Sequence, residues 1–377
     1  MKNMVFPPIN EREQALQTLS QLEVISQISG SQEDLRKIVA FLKHEHREVR
    51  YTAAEILGKL GERVKPYIPS IIELLTDTDR YIHFAGIEAL SCLKEIAIDA
   101  APQLVALLDH PAWDVRYDVI EVLAEIRAEA CIPQIVERLE DHDSRVRFAA
   151  VEALGQLGEV TSMYIPQIAA RRIAHHLEDE DPMVRSLAAQ VLENLGNVAK
   201  AYIPQISERL GDSDPIVRAA AVVALGYLGK EAKKNGHICQ LALQQIAVLF
   251  TDREPAVRST ALKIVGEMGE DTKMYIPLSI ADQIADSLQD HEPQVRAAAV
   301  EAMGKLGYMN HAYIPQVAAC LNDSDSLVRA STLIALGNLE CFIHDYVPHI
   351  RACLTDQEPM VSSAAQEVLN ILYESMR

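Results

Sequence analysis

The chain has 377 residues, 49% of them apolar but only 5% aromatic, and a formal net charge of −19. An acid excess of that size repels nucleic-acid phosphates and favours cationic partners or plain solubility. No run approaches the ~18 apolar residues of a membrane span, residues 1–10 lack an apolar signal core, and the six cysteines are scattered without a Cys-x-x-Cys pair. Together these predict a cytoplasmic chain with buried, reduced thiols and no disulfide frame or zinc knuckle.

The first predicted element is a helix from Glu11 to Ile28, with Asn10 and Glu13 placed as a capping box. Residues 1–30 are read as a capping segment at the open end of a repeat stack. Residues 31–377 are read as one continuous array of repeats, beginning with a helix that runs from Ser31 to Leu42. A compact chain of this length would divide into two or three domains, but a stack of repeats extends its core along one axis.

The repeat is clearest at Asp141–Gly158, DHDSRVRFAAVEALGQLG, and returns at Asp212–Gly229 and Asp290–Gly307. Its central valine recurs at Val49, Ile82, Val115, Val146, Val184, Val217, Val257, Val295, Val328 and Val361, in steps of 33, 33, 31, 38, 33, 40, 38, 33 and 33. An acid three residues earlier (Asp143, Asp181, Asp214, Glu254, Glu292) is placed to cap a helix N-terminus. Proline follows that position in five copies (Pro182, Pro215, Pro255, Pro293, Pro359), where a missing N–H costs nothing. Val146, Ala150, Ala153, Leu154 and Leu157 then form one apolar stripe at helical spacing, and Gly158 is placed to end the helix in the left-handed region.

A second helix upstream opens with Tyr-Ile-Pro at Tyr67, Tyr164, Tyr202, Tyr275 and Tyr313, and with Tyr-Val-Pro at Tyr346. Each repeat is therefore a helical hairpin, which cannot bury both faces alone, so neighbours must stack. Tyr164–Asp179 and Tyr275–Asp290 hold a longer first helix than Tyr202–Asp212. Lys230–Cys239 reads as a flexible loop. Ser362 replaces the arginine that follows the valine elsewhere.

The pattern Asp-x-Asp-Pro-x-Val-Arg-x-x-Ala-x-x-x-Leu-Gly-x-Leu-Gly, as at Asp212–Gly229, resembles the HEAT-repeat family, in particular the bacterial HEAT-like repeats grouped with phycobilisome lyases. The resemblance runs from about Ser31 to about Leu372. It implies an all-α, right-handed α-solenoid of about ten HEAT-like hairpins. It also implies that Arg50, Arg116, Arg147, Arg185, Arg218, Arg258, Arg296 and Arg329 bond loop carboxylates such as Asp141, Asp179, Asp212, Asp252, Asp290 and Asp323, with His83 breaking the row. Two enzyme branches of the fold fit poorly. The di-iron deoxyhypusine hydroxylases carry His-Glu pairs on helices, whereas here His44-Glu45 and His291-Glu292 lie in loops. The DNA glycosylases need a basic groove. No catalytic, cofactor-binding or metal-binding set is expected.

A helical wheel supplies the candidate site. Two residues after the valine lies almost opposite the apolar stripe, and six after lies on the same outer side. In the first four repeats the former is aromatic (Tyr51, Phe84, Tyr117, Phe148) and the latter acidic (Glu55, Glu88, Glu121, Glu152). Later repeats carry Ser or Ala at the ring position. HEAT resemblance puts this helix on the concave face, and Trp113, in the loop before the third repeat's helix, would extend it. Rings flanked by carboxylates suit a Lys- or Arg-rich segment of another protein, at about 0.5–2 kcal/mol per cation–π contact. The competing reading is that the rings pack on one another between neighbouring helices. The expected function is a non-catalytic protein-binding scaffold or adaptor, with a phycobilin-lyase-like accessory protein and a structural spacer or assembly subunit as alternatives. No nucleic acid or membrane is expected, and the oligomeric state is left open.

Overall fold

A computed structural model describes residues 10–29, 31–158, 164–231, 236–272, 277–306, 312–338 and 344–375, and every regular element among them is helical. None of those helices is long and apolar enough to cross a membrane. The chain forms two compact units, Met1–Arg172 and Ile173–Arg377.

In the N-terminal unit, α1 (Glu11–Ser29) precedes four hairpins. These are α2 (Gln32–Phe41) with α3 (Arg47–Lys59), and α4 (Ile68–Ile72) with α5 (Arg80–Leu93). After a single turn, α6 (Glu95–Ile98), come α7 (Ala101–Ala106) with α8 (Trp113–Glu125), and α9 (Ile132–Glu137) with α10 (Ser144–Gly158). Helix α1 packs on α2 and α3, and the second helices pack in series, α3 on α5, α5 on α8, α8 on α10. The Glu13 amide donates to Asn10 Oδ1 at 2.8 Å, which is the first half of the expected capping box. Ser31 caps α2 through its hydroxyl.

Helix α11 (Tyr164–His175) straddles the boundary between the units. The C-terminal unit continues with α12 (Pro182–Asn194), then α13 (Ile203–Glu208) with α14 (Pro215–Glu231) and α15 (Gly236–Ala247) with α16 (Pro255–Thr272). It ends with α17 (Leu278–Asp286) and α18 (Pro293–Leu306), α19 (Ile314–Ala319) and α20 (Ser326–Gly337), and α21 (Val347–Ala352) and α22 (Pro359–Ser375). Here α12, α14, α16, α18, α20 and α22 stack in that order.

The core is the predicted stripe. Val49, Ala53 and Leu57 in α3, Val146 and Ala150 in α10, and Val217, Ala221 and Leu225 in α14 are all fully buried. A buried Val or Leu contributes about 1.5–3 kcal/mol relative to an exposed one. Behind each stripe, most first helices are only five or six residues long and close in a 3₁₀ turn, as at Glu73–Thr76 and Arg209–Gly211. Tyr67 and Tyr313 precede such helices and reach back to the previous hairpin, donating to Gln32 Oε1 at 3.0 Å and to Asp282 respectively. Tyr275 lies outside the described residues.

The uneven spacing has a backbone cause. Twelve residues after the anchoring valine, Gly61, Lys94, Arg127 and Gly196 all have positive φ (62°, 47°, 55° and 54°), and the chain turns there. Where the step to the next valine is 38 or 40, the second helix instead runs through that position: α10 to Gly158, α14 to Glu231 and α16 to Thr272. Gly158 is therefore the last helical residue, and the left-handed role falls to Gly61 and Gly196. The extra residues also lengthen the first helix, twelve residues in α11 and nine in α17 against six in α13. Lys230–Cys239 is not the open loop expected. Lys230 lies in the last turn of α14, residues from Gly236 begin α15, and only 232–235 lie outside the described residues. Cys131, Cys239, Cys320 and Cys353 are buried free thiols as predicted, but Cys92 is exposed on the outer side of α5. Cys341 lies outside the described residues.

Candidate protein-interaction surface and the rungs beneath it

The Asp-x-Asp loops do two jobs. The second aspartate caps the helix after it, with Asp79, Asp143, Asp181, Asp214 and Asp325 each accepting a backbone N–H through Oδ1 at 2.8–3.0 Å. The first aspartate is the rung. Arg116 Nε and Nη2 clasp Asp141 at 2.8 and 2.7 Å, while Arg116 Nη1 donates to the carbonyls of its own loop, His110 and Pro111. The same fork joins Arg185 to Asp212, Arg218 to Asp252, Arg258 to Asp290, Arg296 to Asp323 and Arg329 to Asp356. Arg50 meets Asp77 at 3.3 Å. Burial pushes the Asp141 carboxyl up, yet its bonds from Arg116 and from the Asp143 amide bring it below the ordinary value. Asp323 is held low chiefly by Arg296. These arginines are thus committed to neighbouring hairpins and do not form a row open to anions.

The second rung is built from other residues. His83 stands where the arginine should be. Its Nδ1 lies 2.8 Å from Asp118 Oδ2 and its Nε2 lies 2.7 Å from the Asp77 carbonyl, with the His83 and Asp118 side chains both buried. The carboxylate comes from inside α8, three residues after Val115, and no longer from the loop. At the loop position stands His110, whose Nδ1 accepts the Ala112 amide at 3.2 Å. Its counterpart His44 in the first hairpin accepts the His46 amide at 3.1 Å. Each reproduces the local turn that Asp141 makes with the Asp143 amide. Histidine therefore replaces the first aspartate at the two loops that receive no arginine from a preceding hairpin. That role accounts for the half-buried His44.

Above these rungs lie the candidate residues, all in the N-terminal unit. The Tyr51 ring stacks on Tyr81, with centroids 4.9 Å apart and planes at 22°. The Tyr51 hydroxyl donates to Glu88 Oε2 at 2.7 Å, and this bond, with some burial, pushes the phenol up to about 12. Phe84 is 52% exposed. Glu55 is held by Lys59 of its own helix at 2.6 Å. Trp113 is the first residue of α8, not a loop residue, and its ring is already covered. The Arg145 guanidinium lies 3.5 Å and that of Arg80 4.9 Å from its centroid. Asp143 fixes Arg145 in that pose with two bonds of 2.9 and 2.7 Å.

Tyr117 meets Trp113 edge-on at 6.4 Å, and burial first, then Glu121 and Glu152, push its phenol up. Glu121 reaches solvent, yet crowding by surrounding atoms and the charges of Asp118, Glu152 and Glu125 raise its carboxyl. Phe148 is half-buried and Glu152 exposed. Among the described residues no ring contact joins two of Tyr51, Phe84, Tyr117 and Phe148. They stand in register without stacking.

A sequence profile of HEAT repeats matches residues 35–115, 101–165, 170–235 and 242–337. The chain belongs to the HEAT-repeat family. Over 126 residues it is 34% identical to a HEAT repeat-containing taxis protein of Halobacterium salinarum, which is 33% of this chain and 27% of that protein. Over 121 residues it is 37% identical to a phycocyanobilin lyase subunit alpha of a Nostoc species, 29% of this chain and 42% of that subunit. The chain thus spans less than half the length of these curated relatives. Among solved structures, importin beta matches with a TM-score of 0.70 at 14% identity, over 98% of this chain and 54% of its own. Kap95 in its complex with Nup1 gives 0.68 at 16%, over 98% and 58%. At such identities the likeness is one of fold.

Within this HEAT array, sequence reasoning missed the cations. It placed rings and acids at two helical positions and ignored the residues one or two before the valine, where Arg47, Arg80 and Arg145 stand. Arg47 lies 5.6 Å from the Tyr81 centroid. Tyr81 itself, 48% exposed, belongs to the surface and was not singled out. The signal was present, since an aromatic at that position occurs in this HEAT repeat alone.

Proposed function

We propose that this HEAT array is a non-catalytic scaffold or adaptor that binds another protein through the outward positions of α3, α5, α8 and α10. The observation that carries the reading is the open ring of Phe84, 52% exposed, on the same helix as the exposed Glu88 and in repeat register with the exposed Glu121 and Glu152. An open apolar ring gains by burial, and nearby carboxylates favour a partner that brings Lys or Arg. Tyr51, Tyr117 and Phe148 support this surface from its half-buried side, and Glu55 lies at its edge. Trp113, with both arginines upon it, acts as an internal cation anchor that fixes the rim. Kap95, a structural neighbour, is found with Nup1, in keeping with this use of the fold.

Affinity capture from the host's lysate tests the reading. Wild type is compared with a Phe84→Ser, Glu121→Gln, Glu152→Gln variant whose circular dichroism matches. A partner kept by wild type and lost by the variant is the expected result. A partner retained by both would move the site off this surface.

The match to a phycocyanobilin lyase subunit favours a second reading, an accessory role in handling a bilin-carrying protein. Such a site needs a polar group that breaks the repeat symmetry. The break found at His83 and Asp118 is buried, out of reach of a chromophore. Bilin transfer by the purified chain, alone or with host extract, would establish this role in place of the adaptor.

A further inference from the structure

The geometry around His83 fixes its protons. The Asp77 carbonyl oxygen can only accept, so Nε2 must carry an N–H. A neutral imidazole has no second N–H to offer. Yet Nδ1 sits 2.8 Å from a carboxylate oxygen, in a site where His83 is 4% and Asp118 3% exposed. Without another proton, two acceptors would face each other out of reach of water, and a buried carboxylate would lose its counter-charge. We propose that His83 and Asp118 together hold an additional proton, shared between Nδ1 and Oδ2, and that this proton latches α5 to α8.

The groups around the ring favour keeping it. From α8, Asp118 and Asp114 both turn negative charge toward the imidazole. From α3, Arg50 is engaged by the Asp77 side chain at 3.3 Å, and Arg47 lies 3.8 Å from Asp79. From the turn after α4, Glu73 is paired with Lys43 at 3.0 Å. On α5 itself, Arg80 reaches Asp118 Oδ1 only at 3.8 Å. The bond to Asp118 raises the imidazole; burial opposes it, and the Asp77 carbonyl adds to the rise.

A histidine whose folded-state value is raised contributes stability that is fully present below its unfolded value, about 6.5, and is lost as pH rises through the folded value. The arginine rungs behave oppositely, because guanidinium stays charged and only their aspartates titrate, at acid pH. The junction between the second and third hairpins therefore loosens on the alkaline side, where the arginine rungs hold.

Two measurements on the full-length chain test the latch. Carbon-13 labelling of the histidine rings reads their titration by NMR. His83 is expected to lose its proton at a higher pH than the exposed His142 and His291. Hydrogen exchange, corrected for its intrinsic pH dependence, should show opening of α5 and α8 that grows by up to about tenfold per pH unit from about pH 6.5 up to the folded value of His83, and then levels off. Helices α16 and α18 should show no such growth. In Asp118→Asn the pH-dependent opening should vanish. A His83 that titrates at or below its exposed counterparts would overturn the proposal without any variant. So would α5 and α8 protection that changes with pH no differently from that of α16 and α18.

Discussion

Single residues set where the chain turns after the second helix in four of the repeats. Gly61 and Gly196 adopt positive φ freely, but Lys94 and Arg127 occupy the same register with side chains that oppose it. A non-glycine residue held at such a backbone conformation costs about 1–3 kcal/mol. Lys94→Gly is therefore expected to stabilise the protein by roughly 1 kcal/mol after the entropy cost of glycine, read as a higher urea midpoint. An unchanged or lower midpoint would show that contacts of the Lys94 side chain offset the strain.

Much of the residue scale was legible. The doubled aspartates read as cap and rung, and both roles are present. The swap at the second rung was half visible, because His83 stands out as a break in the row. Asp118 does not stand out as its partner, since it sits inside a helix and not at the loop position that supplies the other rung carboxylates. Only the fold shows that a carboxylate from inside α8 reaches the ring.

Between elements, the second helices touch through glycine. A Cβ on Gly58 would meet Ala89 Cα at 2.9 Å, and one on Gly304 would meet Ala335 Cα at 2.8 Å. Alanine normally favours a helix over glycine, yet here it pushes against a neighbour's backbone. Gly304→Ala is expected to destabilise by about 1–3 kcal/mol, seen as a lower melting temperature; a rise would mean the helices can part without cost.

The rungs are the polar counterpart of these contacts. Asp212→Ala leaves Arg185 without its partner in a mostly buried site and should cost about 3–5 kcal/mol. The paired change Arg185→Met, Asp212→Leu should recover most of that loss. Lowered aspartate values mean that rung stability is present above the unfolded carboxylate value and is lost as pH falls through the folded one. The hairpin count and the stripe were legible from period alone. The 3₁₀ closure of the first helices was not, because short turns carry no periodic signal.

At the scale of the whole molecule, a repeated rung and a repeated stripe build an array in which each hairpin depends on its neighbours. The variation between repeats is where function must lie. In the N-terminal unit that variation is aromatic, acidic and, as the structure adds, basic on the chain's own side. The cation–π contacts that form within the chain are made by its own arginines, on Trp113 and Tyr81. The surface proposed for a partner is therefore narrower than four rings in a row and centres on Phe84, 52% exposed. A net charge of −19 should add long-range attraction for cationic partners that salt weakens.

The most direct measurement is calorimetric titration of the full-length chain with a Lys/Arg-rich peptide and with its Asp/Glu counterpart, at low and high salt. Binding of the basic peptide alone is expected, weakened by salt and by at least about tenfold in the Phe84→Ser, Glu121→Gln, Glu152→Gln variant, a loss of roughly 1.4 kcal/mol. Equal affinity of wild type and variant, or preference for the acidic peptide, would contradict it.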